Sequence, residues 1–302
     1  MVDTLINVIA PIFLVMLAGM FYGRILQPDT KTFSSAIIYL FAPALVIDGF
    51  QTVRFTPDVL GQVTGLVVFS AIALTFIGYL LAWLLRLDVR ATNALVLAII
   101  LFNGANYGLP FNTFAYGDEA EPMAILYYSV SVIVVNTLGV FIASRGSGSM
   151  SFASAAINVF RTPLFYAAVI GLAINLGDIE LPLLLGRSVS ILGAAMIPVM
   201  LILIGIQVSQ FEFKITQARP VAVGVFGTLI ISPLVAWGIA ALLGMEGLAW
   251  TVGITQHAMP TAVIAIALTT QFDGDVELVT NTLLASTAVS ALTLSVLVQL
   301  LT

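Results

Sequence analysis

The chain has 302 residues, 60% of them hydrophobic and 8% charged, a net charge of −5 and a mean hydropathy of +1.12. So little polar surface cannot coat a globule of this size in water, so the composition excludes a soluble protein and points to the lipid bilayer as solvent. The absence of cysteine excludes disulfides, thiolate chemistry and cysteine-ligated metals, and scattered charges between apolar runs offer no surface for nucleic acid.

A hydrocarbon layer of ~30 Å is crossed by ~20 apolar helical residues at ~1.5 Å each. Cutting the chain at charges and turn residues predicts ten such spans. The first, Leu5–Leu26, carries no charge before Arg24 and lacks the basic start and cleavage site of a signal peptide. Phe33–Phe50, Val59–Leu85, Thr92–Tyr116 and Met123–Ala143 complete a first set. Ala155–Leu176, Leu183–Gln207, Pro220–Leu243, Leu248–Thr270 and Val279–Leu301 form a second. None alternates with period two, which favours helices over a β-barrel. The expected fold is therefore an all-α integral membrane protein.

Basic residues near span ends favour the cytoplasm. Alternate connectors hold Arg24, Lys31, Arg86, Arg90, Arg145, Arg161, Lys214 and Arg219 on one side, against Arg54 and Arg187 on the other. That places both termini outside a cytoplasmic (plasma) membrane. Asp48 reads as an interfacial charge near Arg54.

A Gly/Ser-rich linker, 144–154, divides the spans five and five, giving repeats at 1–143 and 155–302. An odd number of spans per repeat inverts the second. Pro11, Phe13 and Gly19 recur as Pro163, Phe165 and Gly171; Pro43, Gly49, Gln51 and Phe55 recur as Pro198, Gly205, Gln207 and Phe211; Pro110 recurs as Pro260. Inverted repeats are characteristic of secondary transporters.

Two spans are interrupted in their middles. The fourth contains Asn103, Gly104, Asn106, Tyr107, Gly108 and Pro110; the ninth contains Gln256, His257, Pro260 and Thr261. Proline removes a backbone donor and glycine permits non-helical dihedrals, so each helix is expected to unwind just before its proline, which then opens a new half-helix. Asn103, Asn106, Gln256 and Thr261 could satisfy the freed backbone. Inverted symmetry would cross the two breaks and bring two positively polarised helix N-termini together, a site suited to an anion. The plainer reading of these residues is proline and glycine as ordinary transmembrane residues, with the amides as interhelical glue.

The residues 103–110 and 256–261, with ten spans in two inverted sets, resemble the auxin efflux carrier family over essentially the whole chain. That family includes the plant PIN carriers and prokaryotic carriers of small carboxylates such as malonate or malate. The resemblance implies a fold similar to the bile-acid and sodium/proton antiporter group and an elevator mechanism. Spans one, two, six and seven would form a scaffold, with a homodimer through it plausible, and spans three to five and eight to ten a transport domain. Asn103 and Asn106 would bind substrate, together with Tyr107, Gln256, His257 and Thr261, and Pro110 and Pro260 would mark the crossover. The short central loop departs from the plant carriers, so auxin itself is not implied.

The expected function is secondary transport of small organic anions, without cofactor or metal. Coupling to H⁺ or Na⁺ stays open: His257, the sole histidine, could carry a proton, or be a neutral hydrogen-bonded ring. A sensor or channel is a further alternative. An enzyme is disfavoured, since HExxH, GxSxG and paired intramembrane carboxylates are all missing.

Overall fold

Long apolar stretches with sparse breakers fold as helices, because in hydrocarbon every backbone N–H and C=O must be satisfied within the segment. The computed structural model describes residues 4–145, 157, 159–210 and 217–301. In chain order these form α1 (Leu5–Leu26), α2 (Thr30–Thr52), α3 (Pro57–Leu84) and α4 (Val89–Ile100). A wide helical turn (Gly104–Gly108) leads into α5 (Leu109–Tyr116), followed by α6 (Ala120–Ser144), α7 (Pro163–Leu176) and α8 (Leu183–Gln210). The chain closes with α9 (Ala218–Leu242), α10 (Gly247–His257), α11 (Val263–Gln271) and α12 (Val276–Leu301). No strand occurs among the described residues; one isolated antiparallel bridge joins Phe102 and Thr261.

Seven of the described helices, α1, α2, α3, α6, α8, α9 and α12, are long and apolar enough to cross a membrane. The remaining apolar stretches are the shorter α4 and α7 and the divided α4–α5 and α10–α11. The predicted linker 144–154 falls, beyond Arg145, outside the described residues, as do Lys214 and Phe211.

Side-chain caps set several helix starts, each accepting a backbone N–H that the helix leaves free. Asp29 accepts from Lys31, Thr56 from Val59, Asp88 from Ala91 and Asp275 from Leu278. The same bond to Lys31 holds the Asp29 carboxyl below its ordinary pKa.

Contacts sort the helices into two groups. In one, α1 lies along α8, and α2 packs on α7 and α8. The α1–α8 approach depends on glycine. A Cβ at Gly19 would overlap the backbone of Ile202, and one at Gly205 that of Met16, the small-residue packing typical of membrane helices. Asn175, on α7, ties this group to the start of α3. Its amide donates to the carbonyls of Phe50 (2.7 Å) and Val53 (2.5 Å) and accepts from Phe55 N–H (3.1 Å). The Arg54 guanidinium donates to the terminal carbonyls of α7 and pairs with Asp178. Arg54 therefore finds its partner across the helix pair, in Asp178, and not in Asp48.

In the other group, α3, α4, α6 and α9–α12 pack on one another around a buried cluster that includes Leu74, Leu95, Ile99, Leu268 and Leu283. Two further clusters join the groups: a large one sets Leu45, Val46 and Phe50 of α2 and Met196 and Met200 of α8 against Val63 and Val67 of α3 and Ile125 and Leu126 of α6, and another sets Val8, Ile9 and Ile12 of α1 and Ile204 of α8 against Tyr107, Met259 and Leu294. Outward-facing side chains include Phe76, Trp83, Leu184 and Leu242, all more than two-thirds exposed, a surface suited to lipid and not to water.

Candidate functional site

The centre of the second group is where two helices stop. α4 ends at Ile100, and Leu101 (φ −98°, ψ 82°) and Asn103 (φ −80°, ψ 57°) leave the helical region. α10 ends at His257, and Pro260–Ala262 run as an extended link to α11. Three-residue extended links would each strand polar backbone deep in the molecule, at several kcal/mol per unpaired group. They satisfy each other instead. Asn103 N–H donates to the Pro260 carbonyl at 2.8 Å and Ala262 N–H to the Leu101 carbonyl at 2.7 Å, flanking the Phe102–Thr261 bridge.

Side chains complete the junction. The Thr261 hydroxyl donates to the Ala98 carbonyl (2.8 Å), and Thr261 N–H donates to the Ser286 hydroxyl of α12 (3.2 Å). Beyond the bridge the Asn103 carbonyl accepts from Tyr107 (3.3 Å) and Gly108 (2.9 Å), closing the wide turn that opens onto α5. Gln256 fills the space over this turn. Its amide donates to the Ala124 carbonyl at 3.4 Å, and its Oε1 lies so close to Gly104 and Gly108 that a Cβ at either would overlap it. Glycine is required there for close approach; the Gly108 dihedrals (φ −67°, ψ −39°) are ordinary.

The structure thus gathers Asn103, Gly104, Asn106, Tyr107, Gly108, Gln256, His257, Pro260 and Thr261 around one crossing. Gln256, His257, Thr261 and Tyr107 are buried. Asn106 is half-buried on the turn, and neither Asn103 nor Asn106 directs a side-chain hydrogen bond to another described residue. Tyr107 stands edge-on between Phe13 of α1 (6.2 Å) and Phe111 (6.1 Å). His257 Nδ1 lies 2.9 Å from the Gly253 carbonyl, and its ring tilts at 44° over Phe102, centroids 4.8 Å apart.

Two details depart from the sequence expectation. Pro110 does sit in the first turn of its half-helix, but Pro260 lies in the extended link, ahead of Val263 where α11 begins. The freed backbone is satisfied chiefly by the opposite link, with Thr261 the one expected side chain that contributes directly. Several residues of the site carry no polar signature in the sequence: Leu101 and Phe102 pair through backbone, and Ala98 and Ala124 offer only carbonyls. Asn112 was detectable as an amide inside an apolar run. It is fully buried, donating to the Gly108 carbonyl at 2.7 Å.

No Asp, Glu, Lys or Arg lies between Leu101 and Gly117 or between Gly247 and Gln271, so the electrostatics of the crossing come from backbone dipoles. The N-terminal ends of α5 and α11 carry partial positive charge there. Among the described residues no group of three His, Asp or Glu side chains could hold a metal ion. A cavity of about 20 Å³ adjoins the crossing, lined by His257, Phe102 and Ser131 and by apolar side chains of α3 and α6.

Comparison with known proteins gives the family. Residues 4–298 match the membrane transport protein family. An uncharacterized transporter of Methanothermobacter thermautotrophicus is 28% identical over 280 residues, covering 90% of this chain and 89% of that protein. An uncharacterized transporter of Methanocaldococcus jannaschii is 22% identical over 301 residues, covering 96% of each. The chain belongs to the membrane transport protein family, the auxin efflux carrier family that its sequence resembles.

Proposed function

We propose that this member of the membrane transport protein family is a secondary carrier of small organic anions, carboxylates above all, that binds its substrate at the crossing of the two broken helices. The observation that carries the reading is the pair of extended links, Leu101–Asn103 and Pro260–Ala262, joined by backbone hydrogen bonds. Helix-breaking backbone at membrane depth is tolerated where it builds a site, and half-helix N-termini directed at it favour an anion. Asn103 and Asn106 supply uncommitted amide donors beside those ends. Tyr107, Gln256, His257 and Thr261 shape the wall.

In this reading the chain crosses the cytoplasmic membrane ten times, as two inverted five-span repeats with both termini outside. The group α1, α2, α7 and α8 is the scaffold, and the remaining helices are a transport domain that moves past it in an elevator cycle. The division of contacts into those two groups and the glycine-dependent α1–α8 packing support this assignment. The apolar cluster around Tyr107 is then the sliding face. An inside-negative potential of ~100 mV contributes ~2.3 kcal/mol per net charge moved, roughly fifty-fold, and acts on a dicarboxylate dianion even when one proton accompanies it.

The test is reconstitution in liposomes with solid-supported-membrane recording during rapid application of malonate, malate and indole-3-acetate, comparing wild type with Asn106→Ala. Saturable currents of anionic sign in wild type, lost in the variant, are expected. Silence toward every anion together with a response to a neutral or cationic solute refutes the anion site.

A further inference from the structure

His257 is buried beside the crossing, yet it takes no part in joining the two links. A backbone carbonyl only accepts, so the 2.9 Å contact with Gly253 fixes the proton of the neutral ring on Nδ1 and leaves Nε2 as a lone-pair acceptor. The ring borders the small cavity, whose volume suits about one water molecule. The polar lining is poor in donors. The Ser131 hydroxyl spends its proton on the Tyr127 carbonyl at 2.7 Å and presents lone pairs to its surroundings. The wall is otherwise apolar, so the His257 ring and the Ser131 lone pairs are the acceptors its side chains offer a guest.

The charges around it are remote. On α3 the ionisable groups are Asp58 at its start and Tyr79; on α6, Glu121 at its start, Tyr127 and Tyr128; on the turn and α5, Tyr107 and Tyr116. α4 brings Arg90 in its first turn behind the cap Asp88, α9 brings Arg219 and α12 brings Glu277, each in the first turn, and Glu246 precedes α10. None of the carboxylates borders the cavity. An imidazolium formed here would have no fixed counter-charge in the wall, and the only negative partner available is a substrate anion at Asn103 and Asn106. Phe102, which stacks on the ring, is the immediate neighbour of Asn103 in the bridged link.

We propose that His257, opening on this cavity, is the proton-binding residue of the carrier, so that anion and proton load together and the protein works as a proton-coupled symporter. The inference rests on the anion-carrier reading above. Nε2 accepts one proton as the anion binds and releases it when the anion leaves on the other side. Because neither charge is compensated without the other, the half-loaded states are disfavoured and the two fluxes are tied. His257 is the one side chain near the crossing whose ordinary titration range spans physiological pH.

The test uses full-length protein in liposomes with labelled malonate and malate. Two readouts are taken: counterflow, which needs no pH gradient, and accumulation driven by an imposed gradient of one pH unit, acid outside. One coupled proton sustains up to about tenfold accumulation in wild type. In His257→Gln, uncharged at all pH, accumulation is expected to fall to about one, and any counterflow that survives marks the loss as one of coupling. A wild type without counterflow removes the anion-carrier reading itself. A wild type with counterflow but no accumulation, or a His257→Gln variant that accumulates as wild type does, overturns the proton site and leaves the carrier standing. Should the variant lose counterflow too, pyranine trapped in wild-type liposomes decides. Internal acidification that tracks uptake of the transported acid supports the proposal, and its absence overturns it.

Discussion

Replacing Gly108 by alanine tests the junction at its tightest point. The Gly108 backbone is helical, so alanine meets no strain in the main chain and gains about 1 kcal/mol of helical propensity over glycine. Its Cβ, however, falls on Gln256 Oε1, with Cδ at 3.1 Å and Nε2 at 3.3 Å. The carboxamide must withdraw, losing its bond to the Ala124 carbonyl, about 1 kcal/mol, while crowding adds ~1–3 kcal/mol. The net expectation is a loss of about 1–3 kcal/mol. In a Gln256→Ala background both penalties vanish and the same substitution becomes neutral or stabilising by up to about 1 kcal/mol, so the two sites couple by ~2 kcal/mol or more. Unfolding free energies of the four proteins, from detergent titrations followed by emission of Trp83, Trp237 and Trp250, measure that coupling. Additivity within ~0.5 kcal/mol would refute the contact.

Thr261→Val removes the hydroxyl that donates to Ala98 and should cost about 1 kcal/mol and slow transport, whereas Thr261→Ser, which keeps the donor, should restore both; thermal unfolding and counterflow report the pair. Asn175→Ala strands the Phe50 and Val53 carbonyls and the Phe55 N–H and should destabilise by ~2–4 kcal/mol, against ~1 kcal/mol or less for Arg54→Ala, whose ion pair is exposed. Gly205→Val drives a side chain into the Met16 backbone and should separate α1 from α8, seen as loss of monodisperse protein in detergent, while a substitution at Gly238, which faces open space, should leave it intact.

Much of the fold was legible because hydrophobic runs in a bilayer admit few alternatives. The first span, expected at Leu5–Leu26, has those bounds, and α6, expected at Met123–Ala143, extends only to Ala120–Ser144. The breaks were harder to place. Their residues were readable from proline, glycine and buried amides, yet the fourth helix unwinds at Leu101, well ahead of Pro110, because a partner link fixes the spot and no local residue does. Proline marks where a helix can restart, and at 260 even that rule yields to the extended pairing. Long-range satisfaction by the Ala98 and Ala124 carbonyls leaves no trace in side-chain identity. The close approach of α1 to α8 likewise depends on which glycines meet, and Gly19 and Gly205, legible in the sequence as members of the internal repeat, carried no sign of the helix each would face.

The Leu101–Asn103 and Pro260–Ala262 pairing is written in amide and carbonyl groups that nearly every amino acid possesses. Such a joint is indifferent to most replacements along it, proline at Asn103 or Ala262 being the clear exception because each of those N–H groups donates. Proteins that share this joint can therefore change the amides, hydroxyls and rings that surround the crossing while the backbone that presents those side chains stays the same. Side-chain chemistry and framework are held by different parts of the same few residues, which frees one to vary without endangering the other.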